Sequence, residues 1–98
     1  MGIEAVSGRV VFLRAHECES GWGPAHDFLD AEVIVRLAGD PDSAYGFQLR
    51  QDPRLPAHEA MYELVSSAFE RGWNVDLDVD VTPGHKNHPI VRVAVARP

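Results

Sequence analysis

The alternation of apolar and polar positions divides the chain into five extended segments and one helical one. In residues 73–81, Trp73, Val75, Leu77, Val79 and Val81 point one way, while Asn74, Asp76, Asp78 and Asp80 point the other. A period of two is the mark of a strand with one buried face. Residues 31–37 repeat it, with Ala31, Val33, Val35 and Leu37 on one side and Glu32 and Arg36 on the other. Tyr45, Phe47 and Leu49 alternate with Gly46, Gln48 and Arg50 and predict a third strand. A turn at 39–43 joins it to the second, since Pro41 presets φ and Asp and Ser bond nearby backbone. Residues 6–15 are rich in Val and Phe and read as a first strand, with Gly8 marking a bulge or bend. Residues 90–96 form the last, with Val91, Val93 and Val95 on the core face.

Between the third and fourth strands the period changes. Ala57, Ala60, Met61, Leu64, Val65, Ala68 and Phe69 recur at steps of three and four and predict a helix over 57–71 with one apolar stripe. Pro56 suits its first position, Glu59 in the first turn and Arg71 in the last complement its dipole, and Gly72 is the expected stop. His58, Glu59, Tyr62, Glu63, Ser66, Ser67 and Glu70 fall off the stripe.

The expected fold is therefore mainly β with one helix, in the order β-β-β-α-β-β. That order resembles the OB-fold, a five-stranded barrel with a helix between its third and fourth strands. The resemblance spans nearly the whole chain in order and length and implies one domain over 1–98. It implies a five-stranded OB-type barrel, with ligands on the face of the second and third strands and in the loops joining strands one to two and four to five. The order is also similar to that of the B-subunits of pentameric bacterial toxins, which implies self-association into a homo-oligomer. A ubiquitin-like roll, with two strands before its helix, is the competitor if residues 6–15 leave the sheet.

Composition narrows the function. Hydrophobic residues make up 45% of 98, enough for a folded core. The net charge of -6 argues against nucleic acid, whose phosphates need a basic face. No apolar run approaches the ~20 residues of a membrane helix. The single cysteine excludes an internal disulfide and a Cys-rich zinc site. Residues 1–6 lack the basic-then-apolar pattern of a secretory signal, and Val6 stands where a myristoylation motif wants Ser or Thr. The expected location is cytoplasmic.

Side chains able to do chemistry gather in two loops. Residues 16–30 hold His16, Glu17, Cys18, Glu19, Trp22, His26 and Asp27; residues 82–89 hold His85 and His88. In an OB-type barrel these loops converge. The first expectation is a non-catalytic, acidic binding module for a partner protein, a small ligand, a glycan or copies of itself, with Trp22, His26, His85 and His88 in contact. Trp22, between two glycines, either stacks on a ligand or folds back as a lid on the barrel mouth, and the lid hides more apolar surface. The alternative is a zinc-binding module or small metal-dependent enzyme using His16, Cys18, His85 and His88, all of suitable ligand type. No catalytic residue is assigned, because Glu17 and Glu19 flank Cys18 and oppose a thiolate. The row Asp76, Asp78 and Asp80 reads as a solvated strand face paired with Arg36, Arg50 and Arg92.

Overall fold

A computed structural model describes residues 2–96; Met1, Arg97 and Pro98 lie outside the described residues. Five strands close into a barrel: β1 (Gly2–Ala15), β2 (Val33–Leu37), β3 (Asp40–Phe47), β4 (Asn74–Val81) and β5 (Asn87–Val95). The order around it is β1-β2-β3-β5-β4, and α1 (Leu55–Arg71) lies between β3 and β4 in sequence. The chain is mainly β with one helix in the expected order, and the closed barrel is compatible with an OB-like fold. No helix among the described residues is long and apolar enough to cross a membrane.

Closure depends on β1. Its first half, residues 2–9, runs antiparallel to β4, and its second half, residues 10–15, runs antiparallel to β2. The strand thus begins at Gly2, four residues before the predicted start, because Gly2 already pairs with Val81. The bulge lies between Val10 and Phe12 rather than at Gly8, which keeps its register opposite Val75. The barrel is completed by a short parallel seam of Ala44, Tyr45 and Gly46 against Asn87, His88 and Pro89.

Several element ends differ from the pattern for identifiable reasons. The β2–β3 turn is only Ala38–Gly39, with Leu37 opposite Asp40. Residues 40–43 belong to the part of β3 that pairs with β2 alone, an edge where Pro41 is tolerated. Leu49 and Arg50 lie beyond the end of β3, and Leu49 still packs against the core. The helix starts at Leu55, so Pro56 is its second residue and Glu59 falls past the first turn. Gly72 ends it in the left-handed conformation at φ 71, its N–H donating to Ala68 O. Only Met61, Val65 and Ala68 of the predicted stripe are buried; Ala57, Ala60, Leu64 and Phe69 are exposed.

The barrel interior is filled by Val33, Val35, Leu37, Tyr45, Phe47, Val75, Leu77 and Val79, closed at one end by Val65 and Ala68 of α1. Tyr45 and Phe47 are core, as their alternation with Gly46 implies. On β5, Ile90 and Val93 are buried, but Val91 is 51% exposed. A register shift opposite Asp78 and Val79 breaks the phase predicted for that strand.

Outside the barrel lies a second, smaller cluster of Leu29, Ala31, Ile34 and Ala44, with Trp22 against it. Ala31 is therefore not in phase with Val33, because the chain bends at Glu32 before β2 begins. Glu32 turns inward instead: its carboxylate accepts Arg50 Nε at 2.9 Å, Arg50 Nη2 at 2.7 Å and the Leu49 N–H at 3.1 Å. Arg50 also reaches Asp30. The two carboxylates push its pKa above the usual guanidinium range, and Arg50 in turn holds Asp30 low. The polar row on β4 does face outward, but among the described residues only Asp78 has an arginine partner, Arg92 at 2.7 Å; Ser7 bonds Asp76. Arg36 and Arg50, expected on that row, are engaged elsewhere.

Leu77 is fully buried, so Leu77→Ala is expected to cost about 2–5 kcal/mol in urea unfolding. A Cβ at Gly46 would stand 2.5 Å from Val33 O and 3.0 Å from Ala31 Cβ. Gly46→Ala is expected to cost about 1–3 kcal/mol in the same measurement, because backbone must shift to admit the methyl.

Candidate functional site

The loop of residues 16–32 does not stand away from the barrel. It folds back across the outer face of β2 and β3. Trp22 and Leu29 exchange backbone bonds at 3.0 and 2.7 Å, closing a tight excursion that contains a one-turn 3-10 helix, Ala25–Asp27. Leu29, Ala31 and Trp22 then cover Ile34 and Ala44. The strand face expected to receive a ligand is covered by the chain itself. Trp22 is half-buried there, on the side of the barrel rather than over its mouth.

The two loops do converge, and Asp27 is where they meet. The residue is 8% exposed. One carboxylate oxygen accepts the Lys86 N–H at 2.9 Å and the other the Asn87 N–H at 3.2 Å; Asn87 Nδ2 donates to Asp27 O at 2.9 Å. His85 Nδ1 stands 3.6 Å from the same carboxylate. The Lys86 N–H is the largest cause of a pKa held below the usual aspartate value, aided by the Asn87 N–H and by the charge of His85 and His88, against an opposing contribution from burial.

Beside this junction opens a groove of about 730 Å³. It lies where β3 and β5 part beyond their short seam, so that Gly46–Gln48 form one wall and Pro89–Val91 the other. Phe28, carried by the covering loop, rims it at 51% exposed, and Val91 faces it at 51%. The first turns of α1 supply Arg54, Ala57, His58 and Met61, and the β4–β5 side supplies Asp80, Thr82 and His85. His58 packs on Phe47 with ring centres 5.7 Å apart, and its buried Nδ1 has no hydrogen-bond partner among the described residues.

The predicted contact residues are distributed unevenly around the groove. His85 lines it. His26 is exposed on the 3-10 turn. His88 is not a loop residue at all: it belongs to β5, pairs with Tyr45 and is 7% exposed. Trp22 is packed on the sheet beneath Arg14 and Arg36. Of the other two residues in the predicted zinc quartet, His16 is half-buried, with both ring nitrogens unpartnered among the described residues. Cys18 is exposed beside a second groove of about 460 Å³ lined by Leu49, Glu59, Tyr62 and Glu63. Among the described residues, no group of three or more His, Cys, Asp or Glu side chains could hold a metal ion.

The pattern did not reveal Phe28, Arg54, His58 or Val91 as groove residues. Phe28 carries the one usable signal, an aromatic next to Leu29 in an otherwise polar loop, where only one of two adjacent residues can turn inward. Comparison with protein-family models, curated proteins and solved structures finds no significant match.

The Asp27 junction has a pH signature. Because its folded-state pKa is depressed, it contributes stability above the ordinary aspartate pKa of ~3.9 that is lost as pH falls through the folded value. Asp30 and Asp78 act in the same direction. Urea midpoints measured from pH 6 downward are expected to fall below about pH 5. In Asp27→Asn the midpoint is lower at neutral pH and the fall shallower.

Proposed function

We propose that this protein is a non-catalytic binding module whose ligand is a small neutral hydroxylated molecule of the sugar class, held in the groove beside Asp27. The observation that carries the reading is the exposed pair Phe28 and Val91 facing a groove of about 730 Å³. That volume falls in the ordinary range for small-ligand sites, which combine apolar walls with a few placed polar groups. Phe28 offers a ring face to the apolar side of a sugar. The polar rim offers acceptors in Asp30 and Asp80, donors in Arg54 and an imidazole in His85, which suits hydroxyl groups that both donate and accept.

The site is also supported on rigid elements. Asp27 anchors the loop that carries Phe28 to the loop that carries His85. Arg50, gripping Glu32 and Asp30, fixes the segment leading from β3 to α1. Groups held this way lose little freedom when a ligand binds. Cys18 lies exposed between Glu17 and Glu19, whose charge opposes a thiolate.

Saturation-transfer NMR against a panel of mono- and disaccharides tests this. At least one sugar is expected to bind, with Phe28→Ser and Val91→Ser each weakening it by roughly tenfold and leaving the thermal midpoint nearly unchanged, since both side chains are exposed. Absence of binding across the panel, or binding that neither substitution weakens, would rule out the groove as a sugar site.

A further inference from the structure

A separate cluster lies on the outer face of β1 and β2, outside the groove. Arg36 stands over Trp22 at 5.2 Å and over Phe12 at 5.6 Å, and Arg14 stands over Trp22 at 5.3 Å. The Phe12 and Trp22 rings are 5.8 Å apart. Arg50, Arg54 and Arg92 all have a carboxylate within ion-pair distance. Among the described residues Arg9, Arg14, Arg36 and Arg71 have none, and of these Arg14 and Arg36 share one indole. Arg36 spends one N–H on Pro41 O at 3.2 Å, and its buried Nε has no partner. In a chain of net charge -6, two arginines without carboxylates, stacked on one indole, stand out as an anion-reading surface.

We infer that this face docks an extended segment of a partner protein bearing Asp or Glu at alternate positions. Contact with the Trp22 and Phe12 rings positions both guanidinium groups; the exposed Arg14 can meet a carboxylate with a full N–H edge, and Arg36, whose Nε is buried, with its Nη2. Alternate side chains on an extended segment lie ~6.5–7 Å apart on one face, a spacing that two guanidinium groups flanking one indole can meet. The π surface of Trp22 is already engaged by arginine, so stacking with a nucleobase gains little there. The acidic remainder of the chain opposes a long polyanion, whereas two carboxylates feel mainly charges within a Debye length, about 8 Å at physiological salt. The surface goes beyond the groove and does not depend on the sugar reading.

Fluorescence anisotropy tests it with a labelled short peptide alternating Glu and Thr, its Gln counterpart, and a thymidine oligonucleotide of matched charge. The Glu peptide is expected to bind saturably and the Gln peptide not. Arg14→Gln and Arg36→Gln each weaken binding roughly tenfold, Arg36→Lys weakens it less, and Arg92→Gln changes it by under about twofold. Circular dichroism confirms that each variant is folded, and the exposed Arg14 gives a test independent of any packing role of Arg36. The proposal falls if the folded wild type shows no saturable peptide binding, or if Arg92→Gln is as damaging as Arg14→Gln. Tighter binding of the oligonucleotide would overturn it in favour of nucleic acid. A rise in mass with concentration that Arg14→Gln abolishes would overturn it in favour of a second copy of this chain.

Discussion

The carboxylate of Asp27 reaches across 59 and 60 residues of sequence to accept the backbone N–H groups of Lys86 and Asn87. Both donors sit where the β4–β5 connection enters β5, and the bonds use the backbone rather than side chains. The long first loop is thereby fastened at its middle as well as at its ends. Once it is fastened, Leu29 and Ala31 settle on Ile34 and Ala44, Phe28 is turned the other way, and the outer face of β2 and β3 is covered. Much of what distinguishes this barrel's surface follows from that one carboxylate. It also accounts for a charged side chain being tolerated at 8% exposure, since its oxygens have donors that no strand partner would otherwise satisfy.

Pattern and structure agree where a strand keeps a strict period of two against straight partners. Val75, Leu77 and Val79 are buried, and the aspartates between them face outward. They part company at the bulge opposite Asp78–Val79, which shifts the phase of β5, and on β1, where the bulge lies at Val10–Phe12 rather than at Gly8. A bulge is set by the partner strand, and a period count along one strand cannot register it. Val91 is the clearest case: one residue of slip carries it from the expected core face to the groove. The helix shows the same limit in milder form. Its existence and its stop at Gly72 were legible, but Leu64 and Phe69 are left exposed because the barrel end is only wide enough to cover Met61, Val65 and Ala68.

For the site, topology was more informative than residue type. The meeting of the two loops follows from strand order alone. Which side chains line the meeting place does not, because loop side chains are aimed by contacts distant in sequence. His88 looked like a loop histidine until β5 proved to begin at Asn87. Trp22 by its sequence either stacks on a ligand or folds back as a lid; the indole does fold back, but onto the side of the sheet beneath two arginines rather than over the barrel mouth, and Phe28 takes the exposed position. Arg36 and Arg50 looked interchangeable as partners for the aspartate row. Their roles diverge because Glu32 turns inward and captures Arg50, while Arg36 lies over Trp22 and Phe12.

The division of β1 between two neighbours also shapes how the fold is reached. Gly2 pairs with Val81, and the β1–β4 ladder joins residues 2–9 to residues 74–81. A polypeptide emerging from the ribosome can form the β1–β2–β3 meander early, but its first eight strand residues must wait for β4. Contacts of such wide sequence separation slow folding, because loop closure precedes the gain from pairing. Until then the leading segment Ile3–Val6 is an unpaired strand end, open to mispairing between nascent chains. The charge of Glu4 within it limits that hazard during synthesis.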